Sequence, residues 1–391
     1  MRPPDFTLSA GPTMAWPRVQ QAQAAPITYH YDPAFLEAFR RTERKVAEVY
    51  GTRSDVLLMQ GEAVLGLEAA ARSLVRPGLP CLNLVSGVFG KYMGYWLRDF
   101  GAELHELEVP YDEAIDPADV ERYLDAHPEI ELVAVVHCET PSGTLNPVDA
   151  IGPIARAHGA LTLVDCVSSL GGIPLQPDEW ALDVCVAGPQ KCLAGPPGMS
   201  VMCVSQAAWD AIGTNPSAPR GSFLSMLDWK QSWIDGDRFP FTPSIGDLYG
   251  LEAALDQVLE DGLDQSIRQH DVAARASRAG VRAMGLEPWP RRDEIASACT
   301  TAIRVPEGLA HDAVQAHCRD RYGVMLSGGQ GAGNLVRIGH MGPTARSLYP
   351  VVGLSALGRT LADLGVSVQV GAGVEAALAL LSEAAAVPST T

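Results

Sequence analysis

Short apolar runs alternate with amphipathic stretches from about residue 50 to residue 205 of the chain. The runs LPCLNLV (79–85), ELVAVVH (131–137), ALTLVD (160–165), DVCVAG (183–188) and SVMCVS (200–205) are near-continuously hydrophobic and too short for helices. They predict strands buried on both faces. Between them, DPADVERYLDAHP (116–128) and PVDAIGPIARAHG (147–159) carry helical spacing. Residues 61–74 do so as well, with Val64, Leu65, Leu67, Ala70, Ala71 and Leu74 on one face. This alternation predicts an α/β fold, a mostly parallel sheet covered by helices on both faces. Residues 245–284 read as a long helical stretch, and the remainder as mixed α+β. The expected division is a large domain over residues 1–257 and a smaller C-terminal α+β domain over 258–391, with the strip before residue 15 free to pack on either. A small-residue tail, 384–391, is expected to fray.

Composition narrows the function. With 391 residues, 47% hydrophobic and 19% charged, the chain is globular. Its 46 acidic against 29 basic side chains give a net charge of −17, which repels phosphate backbones and argues against a nucleic-acid partner. No apolar run is long enough to cross a bilayer, and the N-terminus lacks the pattern of a signal peptide. A cytoplasmic protein without membrane association is expected. The eight cysteines form no CxxC pair and lie mostly in apolar runs such as VDCV, so they read as buried, reduced and structural. The nine histidines show no metal-binding spacing.

In a parallel α/β sheet the chemistry gathers at the carboxyl ends of the strands. Asp165 closes ALTLVD, and Lys191 stands in AGPQKCLAGPPG between a strand end and a Gly/Pro-rich loop. Its neighbours Pro189, Cys192, Leu193 and Pro196 are poor company for a solvated ammonium. Desolvation lowers an amine's pKa and frees it for imine chemistry with a carbonyl. Asp165 alone reads equally as a helix cap. Together the two residues suit pyridine-aldehyde chemistry, which needs an amine for the aldehyde and a carboxylate to keep the ring nitrogen protonated.

The turn VSSLGG after Asp165, GPQK around Lys191, AGPPG and the late motif RIGHMG resemble the class V, fold-type I aminotransferases, the group of the alanine–glyoxylate and serine–glyoxylate enzymes. The likeness runs through TLSAGP, YDPAF, SGVFGKY, EVPYDEAIDP and ETPSGTLNP. It implies a seven-stranded-type sheet, a homodimer or homotetramer with the active site at a subunit interface, and pyridoxal in Schiff-base (aldimine) linkage to Lys191, with Asp165 on the ring nitrogen. It also implies Phe89 stacked on the pyridine, Thr140 on the phenolic oxygen, Arg337 on the substrate carboxylate and Tyr29 near the amino-acid end of the pocket. Plain core or turn roles remain open for Phe89 and Thr140.

Within the family, GEAVLGLEAAA and FPFTPS resemble a branch that moves an amino group from pyridoxamine to pyruvate. In that branch the vitamin is a substrate and no cofactor is permanently bound. Where relatives build a phosphate cup for pyridoxal 5′-phosphate at a helix start, this chain has Glu62. Two like charges about 4 Å apart cost roughly 4 kcal/mol at an effective dielectric of 20, so a dianion is a poor guest there. Glu62 reads either as a helix cap or as an acceptor for a free hydroxymethyl group. Phe239 stands where relatives place a phosphate-binding tyrosine, while Thr242 is retained. Gln190 is what phosphate-binding relatives carry, and it keeps a pyridoxal-phosphate-dependent alternative of the glyoxylate type open. Gln330 occupies the place of a second arginine of the pyruvate branch, and Arg346 is the nearest candidate to replace it.

Overall fold

The computed structural model describes residues 3–386; residues 387–391 of the expected tail lie outside the described part. Seven strands form the main sheet: β1 (Asp55–Gln60), β2 (Pro80–Val85), β3 (Glu103–Glu108), β4 (Leu132–Val136), β5 (Leu161–Asp165), β6 (Val184–Ala187) and β7 (Met199–Val204). Their order is β1-β7-β6-β5-β4-β2-β3. β7 runs antiparallel to both neighbours and every other pairing is parallel. β1 and β6 therefore point the same way, and six strands end on one edge of the sheet. All five predicted strands are present within one or two residues. β1 and β3 went unpredicted, and both are edge strands.

Two helices start on that edge. Helix α1 (Ala63–Leu74) follows β1, and α2 (Val88–Asp99) follows β2. The expected long helix over 245–284 is two helices, α3 (Ile245–Asp261) and α4 (Leu263–Ala283). Gly262 separates them with φ 87° and ψ 131°, a conformation that ends a helix and that only glycine adopts readily. A second sheet packs three short antiparallel strands, β8 (Thr300–Arg304), β9 (Ser327–Gly328) and β10 (Leu335–Gly339), in the order β8-β10-β9.

Apolar side chains sort into two main cores. One draws on Phe35 through Val258, and the other on Leu8 together with residues from Ala276 to Ala377. The N-terminal strip joins the second: Phe6 and Thr7 pair in parallel with Val324 and Met325. A third, smaller cluster of Ala10, Cys138, Ile173, Cys192, Cys299 and Met341 lies between them. All eight cysteines are buried and free. Among the described residues no helix is long and apolar enough to cross a membrane.

Candidate active site

The strand ends converge on a cavity of about 270 Å³ whose lining includes Glu62, Phe89, Cys138, Asp165, Ser168 and Lys191. Four of the seven residues singled out in the sequence thus face one space. Asp165 ends β5, paired with Val136 of β4 and Val186 of β6. Lys191 follows β6 by four residues, and Glu62 follows β1 by two.

The Lys191 amine donates to the carbonyl of Ala10 at 3.1 Å. The N-terminal strip lies so close that a Cβ on Gly11 would stand 2.3 Å from Nζ, and Gly11 has φ 103°, so a larger residue there would displace the lysine and strain the backbone. Burial lowers the Lys191 pKa, and the nearby Arg337 charge lowers it further against the pull of Asp165. The neutral amine is therefore more accessible than on a solvated lysine. Asp165 accepts from the Val167 N–H at 2.8 Å. Burial pushes its carboxyl up to about 6, opposed by that N–H and by the Lys191 ammonium. A buried carboxylate with one backbone donor is under-satisfied, and a ring N–H⁺ is the partner such a group lacks.

Glu62 caps α1, its Oε2 accepting from the Val64 N–H at 2.9 Å. Its Oε1 accepts from Gln190 Nε2 at 2.7 Å. The turn beneath is pinned by Ser200, whose hydroxyl donates to the carbonyls of Gly61 and Glu62 at 2.9 and 3.0 Å. The cap and the cavity-lining role coexist, since a carboxylate oxygen accepts more than one bond.

On the opposite side, Thr140 shares a 2.6 Å hydrogen bond with Ser168. Its neighbour Glu139, which the sequence reading passed over, is fully buried. It accepts from the N–H groups of Phe89 and Gly90 at 3.1 and 2.6 Å and so caps α2 from a distant strand end. Burial raises its carboxyl to about 7 against those two donors. The available signal was an acidic residue three positions past a wholly apolar strand, in HCETPSG.

Arg337 lies on β10, opposite Ala302 of β8 and Ser327 of β9. It is 3% exposed. Nη1 donates to the Thr140 carbonyl at 2.9 Å, Nε is buried without a partner, and burial lowers the guanidinium to about 10. Among the described residues no carboxylate pairs with it. A buried cation in that state is suited to receive an anion. Arg346, the candidate to replace the second arginine, pairs with Asp261 and stacks over Trp16. Gln330 is exposed on a positive-φ turn. Tyr29 is 67% exposed against His30 and Tyr31 and lies outside the cavity of its own chain. Phe239 is buried, stacked on Trp233 at 4.2 Å, and Thr242 is exposed.

The family model described as aminotransferase class-V matches residues 17–349. The chain is 47% identical over 97% of its length, and of the relative's, to a pyridoxamine–pyruvate transaminase of Mesorhizobium japonicum. The crystal structure of a pyridoxamine–pyruvate aminotransferase from Mesorhizobium loti superposes with a TM-score of 0.95 at 46% identity, covering 98% of both chains. A ureidoglycine–glyoxylate aminotransferase from Bacillus subtilis gives 0.92 at 28%, covering 98% of this chain and 99% of that one.

Proposed function

Because the chain belongs to the class-V aminotransferases, we propose that it moves an amino group from pyridoxamine to pyruvate, yielding pyridoxal and L-alanine in vitamin B6 breakdown. The observation that carries the choice is Glu62. An acidic side chain lines the cavity at the start of α1, a position where helix N–H groups would otherwise invite a phosphate. The free hydroxymethyl of pyridoxamine can donate to that carboxylate, whereas a phosphate meets like charge. The residues around the cavity otherwise fit a pyridine ring: an amine of lowered pKa, an under-satisfied buried carboxylate, and an aromatic flank.

Bound vitamer supplies a carbonyl or amine at its C4′ carbon and a protonated ring that withdraws electrons. Lys191 Nζ moves a proton between the amino-acid α-carbon and C4′, work that a desolvated amine of lowered pKa performs well. Asp165 holds the proton on the ring nitrogen. Arg337 takes the keto-acid carboxylate and fixes its orientation. Phe89 flanks the ring, and Thr140 meets its phenolic oxygen. With the vitamin as substrate, no cofactor stays permanently bound.

Two further proposals concern the assembly. The two main cores support a division near residue 257 into a large and a small domain. Exposed apolar side chains beside the cavity, Val64 at 48% and Tyr92 at 51%, support a homodimer or higher oligomer that closes the site, in which Tyr29 serves near the amino-acid end of the pocket.

Glu62→Ser tests the reading. Loss of the acid is expected to weaken pyridoxamine and to let pyridoxamine 5′-phosphate act as donor, measured by initial rates with pyruvate. Purified wild-type protein that keeps pyridoxal 5′-phosphate through dialysis, with a vitamer choice unaltered by the substitution, would point instead to the phosphate-dependent glyoxylate-type enzymes.

A further inference from the structure

We infer that Gln190 determines vitamer selectivity by acting through Glu62, as a positioning residue that fixes the carboxylate without cancelling its charge. This rests on the proposed role of Glu62 as the acceptor for the hydroxymethyl group. The Gln190 side chain is 4% exposed and fills the space between the end of β6 and the start of α1. A Cβ on Gly188 would lie 2.6 Å from its Oε1 and 2.9 Å from the Cβ of Ala63, so the amide packs closely against the Gly188 backbone. Nε2 donates to Glu62 Oε1 at 2.7 Å. The reverse orientation would set a carbonyl oxygen against a carboxylate, and neither has a proton to give.

Glu62 needs such a hold. Unlike Asp165, it is an exposed residue, and a glutamate with free rotamers gives up several on being fixed. Its capping bond to Val64 uses one oxygen, and Gln190 supplies the side-chain donor on the other. A lysine or arginine at this point would also hold Glu62, but would neutralise it and attract the phosphorylated vitamer. A neutral amide leaves the negative charge facing the cavity. Selectivity against phosphate then comes from the charge, and affinity for the alcohol from its placement. The same reasoning removes an apparent conflict in the sequence, since the amide that could serve a phosphate is committed to Glu62.

The experiment uses the full-length enzyme with pyridoxamine and pyridoxamine 5′-phosphate as donors and saturating pyruvate. Gln190→Met, near in volume and without a donor, is expected to raise the KM for pyridoxamine about tenfold, with kcat changed by less than about threefold. In a Glu62→Ala background the same substitution is expected to shift that KM by less than about twofold, because nothing remains to be held. Gln190→Glu, which keeps the shape but sets two acids together, serves where Gln190→Met folds poorly, and its KM is expected to rise at least as far. An unchanged KM in both variants overturns the inference, as does an equal rise in the Glu62→Ala background, which would assign Gln190 to packing or to direct substrate contact. If Glu62→Ala alone leaves the vitamer choice unaltered, the reading of Glu62 fails. If it alters the choice while both Gln190 variants behave as wild type, only the role of Gln190 fails.

Discussion

Glu62 and Arg337 carry opposite charges, and among the described residues neither forms an ion pair. Glu62 is held by an amide and a backbone N–H, and Arg337 by a carbonyl, with its Nε left over. In the proposed reaction each charge is kept for a substrate group: a hydroxyl in one case, a carboxylate in the other. Arg337→Gln is therefore expected to raise the KM for pyruvate roughly 10- to 100-fold while the KM for pyridoxamine stays near wild type, read from steady-state kinetics with each substrate varied. An unaffected pyruvate KM would remove Arg337 from the carboxylate site. The same substitution is expected to raise the Lys191 pKa, because the Arg337 charge helps to lower it. Residues of this kind differ in how plainly the sequence announces them. Lys191 stands out because its neighbours are wrong for a solvated charge, and Asp165 because it closes a strand and pairs with that lysine in the expected chemistry. Arg337 came only through the family resemblance, since nothing in VRIGHMG tells a receptor guanidinium from a surface one. Glu139 was not found at all, for its partners are backbone groups fifty residues away that no local pattern encodes.

Helices α1 and α2 begin at the same edge of the sheet, and the first turn of each would ordinarily draw an anion. Both starts are filled by carboxylates of the chain itself, Glu62 on α1 and Glu139 on α2. Gly87, the residue preceding α2, offers no side-chain cap, and a Cβ there would stand 2.4 Å from the Glu139 carboxyl carbon; the remote acid takes the place of a local one. Its carboxyl is raised from 4.5 to about 7, so the folded state binds a proton that the unfolded chain releases, and this site loses stability as pH rises from 4.5 to 7. Glu139→Gln imitates the protonated form and lacks that loss. Relative to wild type, the variant is expected to gain stability across the same window, on the order of 3 kcal/mol at most, by denaturant titration of the unliganded protein. A difference between the two proteins that does not vary with pH would refute the assignment. Elements, too, were unequally visible in the sequence. β4 to β7 are wholly or almost wholly buried and read as continuous apolar runs. The edge strand β3, ELHELE, is half-exposed, and its polar composition hides it. The 245–284 stretch kept its helical character, but a single glycine with a left-handed φ divides it.

Across the whole molecule, a net charge of −17 surrounds a site with two basic side chains, Lys191 half-buried and Arg337 buried. They stand on different elements, Lys191 after β6 and Arg337 on β10, and the N-terminal strip touches both regions: the Ala10 carbonyl accepts from Lys191, and its N–H donates to Ser327, the strand partner of Arg337. The cavity mouth is apolar and exposed, with Val64, Tyr92 and the neighbouring Tyr95 at 46% exposure, a surface suited to a second copy of the chain. Tyr92→Asp is expected to shift the assembly toward monomer and to reduce transamination in proportion, by light scattering and rate measurement on the same samples. A fully active monomer would contradict a site completed between subunits. Composition and periodicity do not reveal such an interface, because an interface side chain and a core side chain look alike in sequence.

The claim on which the account rests is that an acid at the start of α1 reserves the site for the unphosphorylated vitamer. The most direct measurement is kcat/KM for pyridoxamine and for pyridoxamine 5′-phosphate in parallel, with saturating pyruvate. A preference for pyridoxamine of roughly a hundredfold or more is expected from the charge repulsion. Equal efficiency, or a preference for the phosphate, would contradict it.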